Sequence, residues 1–339
     1  MDILVAGGAG YVGSHTVVAL LEAGHNVIIA DNLTASNEQV VRNIERIVKH
    51  KVAFYKADIN DHEAVDYLFA NYDIDGVMHF AGCKSDIESL EKPLKYYRNN
   101  VISTIVLAEA CMRYKVNRFV FSSTAKIYGN SEAPFEESMD VSSKINPFTE
   151  SKVMSEQILK DTAKAHPEFK VVLLRYFNPI GAHSSGLLGE DPSGESDTLM
   201  PYINRVAKGI ISRVKVFGDD YNTKDGTGVR DYTHVMDVAE GHVAALENLK
   251  SGVHTYNLGT GKGTSVLELI NAFEKENMVK VPYDIVGRRE GDLAESFADV
   301  NKAKSELGWV AKRNVNDMVK DTWRYEKNKS KKNVKRKNS

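Results

Sequence analysis

Short apolar runs alternate with helix-length segments from the first residue to about residue 178, and no other feature of the chain limits its fold as strongly. ILVA (3–6), NVIIAD (26–31), VAFYKAD (52–58), GVMHFAG (76–82), RFVFSS (118–123) and KVVLLRYFN (170–178) are separated by stretches such as STIVLAEACMRY (103–114) and SKVMSEQILKDTAKAH (151–166). Strands separated by helices point to β-α-β units, and strands this apolar fit a parallel sheet covered on both faces. The expected class is α/β. After Asn178 the texture changes: GAHSSGLLGEDPSGESD (181–197) is rich in glycine, serine and acidic residues and reads as a long loop. Beyond it, helical patterns (LMPYINRVAKGI, SVLELINAFEKEN) mix with short strands (VKVFG, TYNLG, VPYDIV), the mark of a smaller α+β substrate domain.

The first strand runs into Gly7, Gly10 and Gly13, a GxxGxxG spacing that opens a helix. Such a loop makes a tight turn and a close helix contact, leaving the helix N-terminus to a pyrophosphate, although Gly7 and Gly8 could also simply end a strand. Asp31, eighteen residues past Gly13, ends the second strand, where a carboxylate can accept hydrogen bonds from a ribose diol. The same charge would repel a 2′-phosphate, so NAD is expected over NADP. Asp58 ends the third strand and either meets an adenine edge or caps the next helix. The expected architecture is a Rossmann-type doubly wound parallel sheet.

Bulk properties narrow the partners. A chain of 339 residues with 42% hydrophobic residues can bury a sizeable core, and a net charge of −2 argues against a nucleic-acid surface. Cys83 and Cys111 fit no disulfide or zinc spacing, no run is long enough to span a membrane, and no metal site is expected; the composition suits a cytoplasmic protein. EKNKSKKNVKRKNS at the C-terminus carries seven basic residues and almost nothing apolar, so 327–339 is expected to be a disordered tail.

GGAGYVGSHT, ADNL, HFAGCKS, SLEKPLKYYRNN, LLRYFNPIGAH, GEDPSG, LMPY, GTGVRDYTHVMD, YNLGTG and RREGD follow one another in order, and together they resemble the UDP-glucose 4-epimerases, members of the extended short-chain dehydrogenase/reductases. The resemblance covers residues 1 to about 325. It implies an NAD-binding domain over 1–177 and a UDP-sugar domain over 178–326, with some interleaving, and a homodimer. NAD, which does not leave between turnovers, would meet Gly7, Gly10, Tyr11, Val12 and Gly13, then Asp31, Asn32, Leu33, Asp58 and Ile59, then Phe80, Ala81, Lys84, Asn99, Ser122, Lys152 and Tyr176. The UDP-sugar would meet Thr124, Asn178, Leu199, Lys215, Phe217, Arg230, Tyr232, Arg289, Asp292 and Ser296. Arg230 and Arg289 suit a diphosphate because guanidinium forks match phosphate oxygens. Ser296 stands where the family has either a bulky tyrosine or a small residue, which would leave room for an N-acetyl group.

In that family one NAD takes the C4 hydride, the 4-keto sugar turns, and the hydride returns to the other face. A Ser or Thr, a Tyr and a Lys manage the 4-hydroxyl proton. Those catalytic positions fall here on Thr124, Phe148 and Lys152, within SSTAKIYG and NPFTESK. Phenylalanine has no oxygen, and general-base catalysis is typically worth about 10²- to 10⁴-fold. Neighbouring positions also depart from the family: Lys126 replaces a small or hydroxylated residue, Asp86 and Ile87 replace what is often Val-Gly, and Thr149 and Glu150 are unusual. Of other bases, Thr124 alone has too high a pKa, Tyr128 has no such role in the family, and Lys126 is conceivable. His79 reads as a core histidine and His183 as a loop residue. Three functions remain in view: an NAD-dependent UDP-hexose 4-epimerase, a non-catalytic sensor that binds NAD and UDP-sugar, and a 4,6-dehydratase, which would need an Asp-Glu pair where Ala125 and Lys126 stand.

Overall fold

The computed structural model describes residues 1–141, 146–191, 198–289 and 291–337. The last six residues of the glycine-rich loop, Glu290 of RREGD, and Asn338 and Ser339 of the tail lie outside these. From the N-terminus the chain forms β1 (Asp2–Ala6), α1 (Tyr11–Glu22), β2 (Asn26–Asp31), α2 (Glu38–Val48), β3 (Ala53–Lys56), α3 (His62–Asn71) and β4 (Gly76–His79). Two short helices, α4 (Asp86–Glu91) and α5 (Pro93–Tyr96), lead through a π-helical turn at Tyr97–Val101 into α6 (Ile102–Tyr114). Then come β5 (Arg118–Ser122), a 3₁₀ turn at Ala125–Tyr128, α7 (Pro147–Ala165), β6 (Lys170–Tyr176) and β7 (Asn178–Ile180).

The remaining elements are α8 (Leu199–Ala207), β8 (Val214–Phe217), β9 (Val229–Arg230), β10 (Tyr232–His234), α9 (Val235–Glu247), β11 (Val253–Leu258), β12 (Thr264–Ser265), α10 (Val266–Asn277), β13 (Tyr283–Val286), β14 (Glu295–Ser296), α11 (Asn301–Leu307) and α12 (Val315–Lys337). Seven strands pair in the order β11-β6-β5-β4-β1-β2-β3, all parallel. The order reverses between β1 and β4. Strand ends diverge at such a switch point, and the crevice outside their carboxyl ends is where ligands of doubly wound sheets bind.

Alternate residues of each strand feed two cores, which is why the strands read as continuously apolar. Ile3, Val5, Val27, Ile29, Val172 and Leu174 face one helical layer with Val17, Leu20, Val238 and Leu246. Leu4, Ala6, Ile28, Phe119, Phe121 and Leu173 face the other with Leu68, Leu107 and Leu159. His79 is fully buried there as a core residue, its Nε2 3.1 Å from the Thr104 hydroxyl.

TYNLG does not join the short strands of the second lobe. It forms the end of β11 and pairs with β6 in the main sheet, because Tyr256 and Leu258 complete the apolar face that α9 covers. The second lobe has its own core, with Ile203, Val214, Val216, Phe273, Met318, Val319 and Trp323 contributed by α8, β8, α10 and α12.

Helix α12 continues into the basic segment as far as Lys337. Its first half is nucleated by packing, and each later residue adds one helical bond to an existing turn, a far smaller cost than starting a helix. Side chains at the junction are tied down: Asn328 Nδ2 donates to the Gly186 carbonyl at 3.3 Å, and Lys329 pairs with Asp191.

Candidate functional site

At the switch point β1 delivers the glycine loop. Gly7 has φ +78°, and a Cβ there would lie 2.5 Å from the Ala81 amide nitrogen. A Cβ on Gly13 would lie 2.3 Å from the Gly7 carbonyl oxygen. Neither position accepts a side chain without moving backbone. Helix α1 then starts at Tyr11 with Gly10 as its cap and no side chain on its first N–H groups, which is the condition for anion binding at a helix N-terminus.

Asp31 closes the loop from the next strand. It is 9% exposed, and its two oxygens accept from the Ala9 amide at 3.0 Å and the Leu33 amide at 2.8 Å. Its carboxylate is therefore fixed beside the glycine turn. Asn32 reaches Asp58 at 3.4 Å, and Asp58 caps a turn at Asn60 rather than helix α3, whose cap is Asp61. Ile59 is buried beneath it. These features fit a dinucleotide: a pyrophosphate over α1 and a ribose diol against Asp31.

The far wall comes from β4 and the segment after it. Ala81 abuts Gly7, and Phe80 packs on His242 with ring centres 4.8 Å apart. Lys84 pairs with Glu190 at 3.0 Å and lies 5.9 Å from the centre of the Tyr11 ring, while the Tyr11 hydroxyl donates to the Gly181 carbonyl at 2.7 Å. These contacts tie the long loop to the cofactor end, and Val12 on α1 packs against the sheet core. Asn99 lies in the π turn, an irregularity common at functional sites. Its neighbour Asn100, not expected from the sequence, is buried and holds both backbone groups of Cys83 and the Ser151 hydroxyl.

Three residues converge at the end of β5. Lys152 Nζ donates to the Ser122 carbonyl at 2.8 Å, and the Ser122 hydroxyl donates to the Tyr176 hydroxyl at 3.1 Å. Burial lowers the Lys152 pKa to about 8, with Glu156 opposing the shift. Phe148 lies one helical turn before Lys152, 6% exposed, in the first turn of α7. Thr124 caps the 3₁₀ turn by accepting from the Lys126 amide at 3.3 Å. Lys126 Nζ in turn lies 5.7 Å from the centre of the Phe148 ring and pairs with Asp86.

Residues expected at the nucleotide end gather separately. Asn178 opens β7 opposite Tyr232 on β10, with the Tyr232 ring in the second lobe's core. Arg289 stacks its guanidinium 4.4 Å from the centre of the Phe217 ring, two residues along β8 from the exposed Lys215. Arg230 lies 3.4 Å from Asp292, and Ser296 on β14 is in register with it. Leu199 starts α8 beside the same lobe's core. Asp231, a residue sequence reasoning missed, is fully buried and accepts from Thr260, Gly261 and Ala298, joining three loops under Arg230.

Residues 3–259 match the NAD dependent epimerase/dehydratase family. The UDP-glucose 4-epimerase of Yersinia enterocolitica is 50% identical over 328 residues, 96% of this chain and 98% of that protein. The crystal structure of the Stenotrophomonas maltophila UDP-glucose 4-epimerase with bound NAD and formylated UDP-arabinopyranose superposes with a TM-score of 0.96 at 47% identity, covering 98% of this chain and 99% of that one. That of Bifidobacterium longum, in complex with NAD+ and UDP, gives 0.93 at 45%, covering 97% and 99%. With a parallel sheet, a glycine loop closed by Asp31 and a near-complete match in length, the chain belongs to the NAD dependent epimerase/dehydratase family, on its UDP-glucose 4-epimerase branch.

Proposed function

We propose that the chain is an NAD-dependent 4-epimerase of UDP-hexoses, with UDP-galactose and UDP-glucose as its pair. The observation that carries this reading is the cradle at the switch point, where the glycine loop, the fixed Asp31 carboxylate and the buried Lys152 share one sheet end. The sheet lobe, with β11 and α9 returning to it, holds the cofactor, and the second lobe holds the UDP-sugar. Bound there, NAD supplies a reversible hydride acceptor. Asp31 holds the ribose diol and disfavours a 2′-phosphate. Lys152 is a hydrogen-bond donor for the nicotinamide ribose, with Tyr176 and Ser122 behind it. Arg230 and Arg289 neutralise the diphosphate, and Phe217 gives the uracil a flat neighbour.

Phe148 occupies the position where a phenol would accept the O4 proton, so turnover depends on another acceptor. Ser296 leaves room beside sugar C2, and UDP-N-acetylglucosamine should compete with UDP-glucose; no competition would remove that extension. The exposed Leu90, Leu94 and Ile102 with Met154 on α4–α7 suit a homodimer face, which light scattering would read as twice the 37.7 kDa chain mass. Cys83 and Cys111 are unpaired, which fits a reducing compartment, and the cytoplasm is the proposed location. No helix among the described residues is long and apolar enough to cross a membrane.

The test is a coupled assay: purified protein with its bound NAD quantified, UDP-galactose added, and UDP-glucose formation followed by a UDP-glucose-specific dehydrogenase. Product formation supports the reading. Bound NAD and UDP without product, in the chain and in Phe148→Tyr alike, would leave a binding protein.

A further inference from the structure

Three residues that the sequence analysis singled out as departures from the family pattern, distant in sequence, meet at one place. Asp86 is the first residue of α4, Lys126 lies in the 3₁₀ turn after β5, and Phe148 is in the first turn of α7. Lys126 pairs with Asp86 on one side and faces the Phe148 ring, 5.7 Å from its centre, on the other. Asn146, the cap of α7, donates to the second Asp86 oxygen at 3.0 Å. The Lys126 backbone amide donates to Thr124 Oγ1. The Lys126 ammonium thus bridges the Phe148 ring and the Asp86 carboxylate, which Asn146 holds from the start of the helix that carries Phe148. Their side chains remain 36% and 49% exposed, so a ligand can reach them.

We propose, on the basis of the 4-epimerase reading, that Asp86 is the proton acceptor for the sugar 4-hydroxyl and that Lys126 positions it. The hydroxyl needs a group that can accept; an ammonium only donates, whereas an ionised carboxylate only accepts. As the C4–H bond breaks, its electron pair leaves with the hydride to the nicotinamide. The O4–H bond breaks with it, its electrons form the second C–O bond of the ketone, and the proton forms an O–H bond on Asp86. In the return half the carboxyl gives the proton back to O4 while hydride returns to C4. A carboxylate suffices as base because O4 becomes strongly acidic while hydride is leaving: a protonated ketone is a far stronger acid than any carboxylic acid. Lys126 and Asn146 together orient the carboxylate, Lys126 from the side that faces the Phe148 ring.

Steady-state kinetics with UDP-galactose on the full chain, with bound NAD quantified in every variant, tests this. Asp86→Asn should lower kcat by about 10²- to 10⁴-fold with KM little changed. Lys126→Met should lower kcat less, and Lys126→Arg should restore most of it, a split that a merely structural role would not produce. In the Asp86→Asn background, Phe148→Tyr should recover turnover, because a phenol one turn before Lys152 makes the carboxylate dispensable. Should Asp86→Asn lose its cofactor, Lys126→Met with its arginine rescue carries the same prediction. Wild-type kcat in Asp86→Asn, or turnover by Phe148→Tyr alone and none by the unaltered chain, overturns the proposal. No interconversion by either while both hold NAD overturns the proposed function and this assignment with it.

Discussion

Replacing one carboxylate oxygen of Glu156 should cost the fold several kcal/mol, about 3–5. Glu156 sits one turn past Lys152 on α7, 1% exposed, facing Arg175 of β6, which is 3% exposed. Arg175 binds it through two nitrogens, at 2.7 and 3.1 Å, and the Ser123 hydroxyl adds a third bond at 2.6 Å. In Glu156→Gln the guanidinium stays charged in a dry site with only neutral partners, the glutamine oxygen, the Tyr128 hydroxyl and the Glu137 carbonyl. Breaking a buried pair from one side costs about 3–5 kcal/mol. Unfolding entropy of about 2.1 cal/mol/K per residue over 339 residues gives about 0.7 kcal/mol/K, so the melting temperature should fall by about 4–7 °C.

Replacing both partners, as Glu156→Leu with Arg175→Met, should recover much of that loss, since no lone charge remains. Acid should erase the difference as well. Burial pushes the Glu156 pKa up, but Arg175, Ser123 and Lys160 outweigh it and hold the carboxyl below its ordinary value. A depressed folded-state pKa gives stability that is complete above the unfolded value of about 4.3 and lost as pH falls through the folded one. Scanning calorimetry of wild type, single and double variants from neutral to acid pH reads all of this. A Glu156→Gln protein that melts with the wild type at neutral pH, or a double variant no more stable than the single, would refute the reasoning.

Gly13→Ala should be isolated without bound NAD and with reduced stability, because its Cβ would collide with the Gly7 carbonyl; cofactor content of the purified protein checks it. Lys152 has its pKa lowered to about 8, so between there and its unfolded value of about 10.4 the unfolded chain binds more protons, and stability should rise with pH across that window. Denaturant titrations should show this rise in the wild type and not in Lys152→Met. Arg289→Ala should weaken UDP binding by about 10- to 150-fold, the equivalent of a charged hydrogen bond of about 1.5–3 kcal/mol, measured by calorimetric titration.

The main sheet was legible because burial on both faces makes the strand interiors apolar at successive positions, as in ILVA and VVLL. Its seventh strand was not: Val253–Leu258 belongs to the sheet only through pairing with β6, a contact 82 residues away in chain order at Val171–Val253 that no local pattern encodes. Likewise, Asn100 and Asp231 had visible signals in RNN and VRDY, yet their work is to hold backbone groups of other loops, which appears only once those loops are placed. Asp86 and Lys126 stood out singly as departures from the family, and their pairing across 40 residues came from the fold. The helix into the basic segment was not legible either: composition says whether a segment can nucleate order, and Val315–Trp323 does so for the residues that follow.

The most direct test of a hydride taken from C4 and returned to it is made with UDP-galactose bearing deuterium at C4. The purified protein, with its bound NAD and no added nicotinamide cofactor, is incubated with this substrate in ordinary water, and proton NMR follows the product. UDP-glucose that keeps deuterium at C4 is the expected result. UDP-glucose with a proton at C4, or unchanged UDP-galactose beside intact bound NAD, would contradict it.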